Sequence, residues 1–201
     1  MNLPNKLTLM RIFLIPVLVA LIVVEQGRPY TFMGALAVFI VATISDIADG
    51  RIARKNNLVT DFGKLMDPLA DKMMICSALI CFVELGYIPA WFAIVVVFRE
   101  FMISGFRLIA AENGLVIAAN SWGKRKTGFQ TAFIIGLLAL PSFDVGLAWE
   151  GLYISASCTV EILETLWCVV INALAWITLF LTVYSLAVYM RDNWKVMGNQ
   201  F

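Results

Sequence analysis
Four aspartates at helical spacing in an apolar chain constrain this fold more than any other feature. Asp46, Asp49, Gly50, Ala53 and Arg54 fall at i, i+3, i+4, i+7 and i+8, which at about 100° per residue is one helix face. Gly63, Asp67 and Asp71 follow at i, i+4 and i+8 on a second helix. The polar run at residues 55–60 joins the two. Two such helices side by side aim four carboxylates at one point. In a poorly hydrated place these acids repel, and some stay protonated unless cations neutralise them. Hard oxygen donors suit two divalent ions, Mg²⁺ or Mn²⁺. A pair of ions about 4 Å apart clamps a phosphate undergoing displacement. Gly50 and Gly63 leave the backbone open to a close neighbour. The plainer alternative pairs the acids with Arg51, Arg54, Lys55, Lys64 and Lys72 at a membrane surface. Matched faces argue against it, because ionisable groups at membrane depth are costly and functional as a rule.

The rest of the chain sets the medium. Of its 201 residues, 61% are hydrophobic, and the mean hydropathy is +0.87, far above a soluble domain. The fold expected is all-α: one polytopic membrane domain over residues 1–201. It has a short N-terminal interfacial helix in residues 1–7 and six spans near residues 9–24, 31–54, 61–85, 90–111, 124–140 and 166–190. The opening shows no cleavable signal pattern, so its first apolar run is read as the first span. Net charge +1 without a basic tail gives no nucleic-acid signal. Histidine is absent, which leaves Asp, Glu, Lys, Tyr or water as general base. Cys76, Cys81, Cys158 and Cys168 lie in or beside apolar runs without paired spacing and read as small apolar residues.

Charge bias orients the spans. With both termini on one side, that side receives Lys6, Arg11, Arg51, Arg54, Lys55, Lys64, Lys124, Arg125, Lys126, Arg191 and Lys195. The other receives Arg28 with Glu25, Glu84, Asp144, Glu150, Glu161 and Glu164. The basic side is cytoplasmic by the positive-inside rule. The aspartates and both termini therefore face the cytoplasm of a plasma membrane. Arg99 and Arg107 lie eight residues apart within an apolar run, on nearly one face. They need an anion, or a partner such as Glu100, Glu112 or the aspartates. No chemistry is assigned to residues 141–165.

The run Asp46, Asp49, Gly50, Ala53, Arg54, Gly63, Asp67, Asp71 matches D-x2-D-G-x2-A-R-x8-G-x3-D-x3-D. In this the chain resembles the CDP-alcohol phosphotransferase family. The opening NLPNKLTLMR, the FRE and GFR pieces at 98–100 and 105–107 and G-K-x-K-T at 123–127 are similar to the bacterial phosphatidylglycerophosphate synthases of that family. The resemblance implies a six-helix, usually dimeric, membrane enzyme that transfers a phosphatidyl group from CDP-diacylglycerol to sn-glycerol 3-phosphate and releases CMP. It implies two metal ions on Asp46, Asp49, Asp67 and Asp71, with Asp46 and Asp67 bridging and Asp71 as general base. Gly50, Arg54 and Thr60, with Ala53 and Gly63, would contact the CDP-linked donor. Arg99, Arg107, Lys126 and Lys124 would hold the acceptor phosphate. Thr8 and Arg11 would lie by the polar cavity, although Arg11 equally suits snorkelling to the interface, and the lysine triplet equally suits an anchor. Two alternatives stay open. Within the family the acceptor could differ, as in a cardiolipin synthase or a phosphatidylinositol-phosphate synthase. Outside it, the acids could line a divalent-cation transporter or sensor, which leaves Gly50, Ala53, Arg54 and Gly63 unexplained.

Overall fold
Apolar runs become helices, and the break at Gly86–Pro89 becomes a turn. The computed structural model describes residues 3–23, 29–55, 61–112, 121–139 and 162–198. They form six α-helices: α1 (Leu3–Val23), α2 (Pro29–Lys55), α3 (Asp61–Glu84), α4 (Ala90–Glu112), α5 (Ser121–Ala139) and α6 (Ile162–Gly198). No strand occurs among the described residues. The separate interfacial helix expected at residues 1–7 is not found. Helix α1 runs unbroken from Leu3, because Pro4 occupies its first turn, where an N–H would have no helical partner. Pro29 opens α2 in the same way. At the other end of the chain, α6 continues past residue 190 through Arg191, Asp192 and Asn193.

The α3–α4 turn shows how local chemistry sets a boundary. Gly86 adopts φ +71°, a conformation that favours glycine. Its N–H donates to Val83 O at 3.0 Å, and the Tyr87 N–H donates to Phe82 O at 2.9 Å. This is a Schellman closure, completed by the apolar contact of the Phe82 and Tyr87 rings, 6.3 Å apart. Pro89 then leads into α4, and its carbonyl accepts from Phe92 N at 3.1 Å.

Helix α1 packs on α2 and α3. Helix α6 packs on α4 and α5, and α5 also reaches α2. The core between them holds Phe32, Phe39, Leu79, Phe82, Phe92, Phe133 and Leu137. At Gly136 a side chain would collide with the δ-methyl of Ile171; the bare backbone lets α5 and α6 approach closely. Cys76, Cys81 and Cys168 are buried and in no disulfide, as expected of apolar fillers; Cys158 lies outside the described residues. The outer faces are strongly apolar, with Phe13 at 72%, Ile94 at 66% and Phe180 at 65% exposure. Among the described residues one stretch, Leu166–Asn193, is long and apolar enough to cross a membrane. Thr8–Val23 and Tyr30–Ser45 are shorter apolar helices.

Candidate active site
The polar residues gather at one end of α3, α4 and α5. On α4, Glu100, Ile103, Ser104 and Arg107 follow the i, i+3, i+4, i+7 pattern of a single face. That face borders a cavity of about 260 Å³, shared with Asp71 and Lys72 of α3, Arg99 of α4, and Gly123, Lys124 and Thr127 of α5. A second cavity of about 320 Å³ adjoins it. It is built the same way, from Lys124, Thr127, Gly128 and Thr131 of α5, Asp71, Met74 and Ile75 of α3, Phe39, Ala42 and Thr43 of α2, and Arg11 of α1. Asp71, Lys124 and Thr127 line both cavities and therefore stand at their junction.

The ionic framework of the first cavity is interlocked. Arg99 is 6% exposed. Its Nε donates to Ser185 Oγ of α6 at 3.2 Å, and its Nη1 donates to Glu100 Oε1 at 3.3 Å. The Lys126 ammonium donates to the same Oε1. Lys72 donates to Ser104 Oγ, which in turn donates to the Glu100 carbonyl at 2.5 Å. Burying Arg99, Glu100 and Lys126 is tolerable because they are paired and hydrogen-bonded to one another.

The structure sorts the expected acceptor residues. Arg99, Arg107 and Lys124 line the first cavity together. Lys126 does not; it has no exposed surface and sits behind Glu100. The basic triplet splits because successive helical residues point about 100° apart. Lys124 faces the cavities, Arg125 lies 4.9 Å over the Trp122 ring, and Lys126 points inward. Arg11 is 2% exposed and lines the second cavity, so it turns toward the site and not outward. Thr8 is buried one turn away and lines neither cavity.

Of the expected metal ligands, the structure describes the side chain of Asp71. Asp46, Asp49 and Asp67 lie on helices α2 and α3 with side chains outside the described residues, as do Gly50, Ala53, Arg54 and Gly63. Thr60 lies outside them altogether. Among the described residues no group of three or more potential ligands clusters. Glu100 pairs with Arg99, as one of the partners expected for it, while Lys72 and Ser104 escape a reading of the sequence as cavity residues. The one available signal for Ser104 is the α4 periodicity that joins it and Glu100 to Arg107.

This is a charged, two-chamber cavity within a helical bundle, with one aspartate of a paired-aspartate motif at its junction. The family model for CDP-alcohol phosphatidyltransferase matches residues 1–184, and the chain belongs to that family. It is 36% identical to the CDP-diacylglycerol–glycerol-3-phosphate 3-phosphatidyltransferase of Bacillus subtilis (strain 168), over 98% of this chain and 97% of that protein. It is 40% identical to the protein of that description in Mycoplasma pneumoniae, over 72% of this chain and 70% of the other. A probable phosphatidylglycerophosphate synthase of Mycobacterium tuberculosis (strain ATCC 25618 / H37Rv) is 39% identical, over 70% of this chain and 66% of that protein.

Proposed function
We propose that the protein transfers the phosphatidyl group of CDP-diacylglycerol to sn-glycerol 3-phosphate, giving phosphatidylglycerophosphate and CMP. The observation that carries the choice of acceptor is the charge of the first cavity. Its described lining holds four cations, Lys72, Arg99, Arg107 and Lys124, against two carboxylates, Asp71 and Glu100. Such a surplus suits a phosphomonoester dianion and disfavours a neutral or cationic alcohol. The near full-length relative in Bacillus subtilis carries that activity in its name.

In this reading the acceptor phosphate sits against Arg99, Arg107 and Lys124. Its free hydroxyl then points toward Asp71 at the junction. The hydroxyl oxygen forms the new P–O bond to the diacylglycerol-bearing phosphorus as the bond to CMP breaks. Asp71 takes the hydroxyl proton, and proximity compensates for its low basicity. Arg54, with Gly50, Ala53, Thr60 and Gly63, would bind the donor. Asp46, Asp49, Asp67 and Asp71 would hold two Mg²⁺ or Mn²⁺ ions; their hard oxygen donors fit those metals, which would supply charge neutralisation at the diphosphate.

We further propose six membrane spans, a cytoplasmic site and cytoplasmic termini in the plasma membrane, with the protein a homodimer. The apolar outer faces of α1, α4 and α6 and the charge bias of the loops support the spans and their orientation; the homodimer rests on the family resemblance alone. The deciding experiment is CMP release by purified protein with CDP-diacylglycerol and Mg²⁺ or Mn²⁺. The acceptors compared are glycerol 3-phosphate, inositol 1-phosphate, serine and phosphatidylglycerol. Release with glycerol 3-phosphate alone, abolished by a chelator, is expected. Release with phosphatidylglycerol or inositol 1-phosphate in its place moves the protein to another branch of the family.

A further inference from the structure
Besides Asp71, the cavity read as the acceptor site has a second carboxylate, Glu100, on its wall, where the charge of an anionic ligand would not favour one. Glu100 is 8% exposed. Its Oε1 accepts from the Lys126 ammonium and lies 3.3 Å from Arg99 Nη1. Lys126 is wholly buried and lines neither of the two cavities, whereas Glu100, which it contacts, lines the first. Arg99 is confined on three sides: by Ser185, by Glu100, and by Gly123, where a Cβ would come within 3.3 Å of Nη2. The carbonyl of Glu100 also fixes Ser104, the hydroxyl that receives Lys72. Side chain and main chain of one residue thus orient two cavity cations on different helices.

We propose that Glu100 is the positioning residue of the anion site: anchored from behind by Lys126, it fixes the Arg99 guanidinium on the cavity wall. Lys126 then acts on the bound phosphate through Glu100 and Arg99, not by touching it. This rests on the reading of the first cavity as the acceptor-phosphate site. The physical reason is preorganisation. An arginine already held in its binding geometry loses less conformational freedom when the anion arrives. Removing the carboxylate also strands Lys126 as a buried, uncompensated charge.

Charge and positioning predict opposite signs for the loss of Glu100. Removing a negative charge from a cationic cavity should tighten anion binding; loss of positioning should weaken it. The test measures dissociation constants for inorganic phosphate and for glycerol 3-phosphate by calorimetry on the full-length purified protein. Glu100→Gln should weaken both at least tenfold. It should raise the KM for glycerol 3-phosphate while leaving that for CDP-diacylglycerol within about twofold. Glu100→Asp should recover most of the affinity. Glu100→Gln combined with Lys126→Met should bind phosphate no worse than Glu100→Gln alone, because the two residues act as one unit. Should Glu100→Gln fail to fold, the double variant decides, since it removes both charges together; it should still bind phosphate several-fold more weakly than wild type. Phosphate affinity equal to or tighter than wild type, in either folded variant, overturns the proposal. So does a wild-type protein that binds neither anion. If the affinities shift as stated but glycerol 3-phosphate yields no phosphatidylglycerophosphate, the acceptor reading fails and the positioning role stands.

Discussion

Helices α3, α4 and α5 each change character along their length, and their two ends obey different physics. Toward the α3–α4 turn they close an apolar end around Phe32, Phe82, Tyr87, Phe92 and Phe133, with ring centroids 5.5 Å apart for Phe92 and Phe133 and 6.0 Å for Phe32 and Tyr87. At the other end the same helices, joined by α1 and α2, border about 260 and 320 Å³ of space, the first of it lined by charges that include the Arg99–Glu100 pair. Packed apolar side chains hold the first end together. The second end forgoes that packing and buries ions whose desolvation offsets much of their attraction. Stability is therefore concentrated where no chemistry occurs. The polar end is held in place by its neighbour more than by itself.

The sharpest way to break this division is at the junction of the cavities. Asp71→Asn should reduce turnover about a thousandfold or more, which corresponds to about 4 kcal/mol in the transition state. Helicity and thermal stability should stay near wild type, because the amide is nearly isosteric. Single-turnover CMP release alongside circular dichroism checks both halves. Near-normal turnover would remove Asp71 from the chemistry and leave the cavity as a binding site alone.

Phe92→Ala probes the other end. Phe92 is 1% exposed, and its truncation leaves a ring-sized hole, costing roughly 3 kcal/mol. The expected outcome is a markedly lower Tm with both KM values unchanged, measured by thermal unfolding in detergent and steady-state kinetics. A selective rise in either KM would show that the two ends are mechanically coupled, contrary to the division drawn above.

Much of this division is legible in the sequence, and its limits are instructive. The expected spans at residues 61–85 and 90–111 match α3 and α4 to within one residue, because Gly86 and Pro89 punctuate both backbone and hydropathy. The expected end at residue 190 falls eight residues short of the end of α6. Hydropathy reports where the apolar run stops, whereas Arg191 and Asp192 continue a helix without difficulty. The short helix expected in residues 1–7 merges with the first span for a related reason: a proline in the first turn starts a helix and does not end it. In the site, Arg99 and Arg107 line one cavity as their spacing suggests, and Lys124, placed there by resemblance, lines it with them. Lys126 differs, since its partner Glu100 belongs to another helix, and the pairing depends on how α4 and α5 meet. A sequence shows each helix face, but not which face opposes it.

Arg107→Ala sharpens the comparison within the polar end. Arg107 is exposed in the first cavity, so its loss should cost little stability. A charge-assisted hydrogen bond to phosphate is worth about 2 kcal/mol. The KM for glycerol 3-phosphate should therefore rise about thirtyfold, with that for CDP-diacylglycerol nearly unchanged. Equal rises in both would mean that the first cavity does not separate acceptor from donor.

The smallest effect tests how finely the polar end is fitted. Gly123 faces the Arg99 guanidinium, and an added Cβ would lie 3.3 Å from Nη2. That is tight enough to push the group by a few tenths of an ångström. Arg99 cannot swing freely, since Ser185 and Glu100 hold its Nε and Nη1. Two opposing contributions follow from Gly123→Ala. The helix gains up to about 1 kcal/mol from replacing glycine inside α5, so the Tm should hold or rise slightly. The displaced guanidinium should at the same time raise the KM for glycerol 3-phosphate about two- to fivefold, a cost of about 0.4–1 kcal/mol. Stability and affinity moving in opposite directions is the signature of a glycine kept for the site and not for the helix. An alanine that raised Tm and left the KM unchanged would show that Arg99 has slack, and that the clamp around it is looser than its contacts suggest.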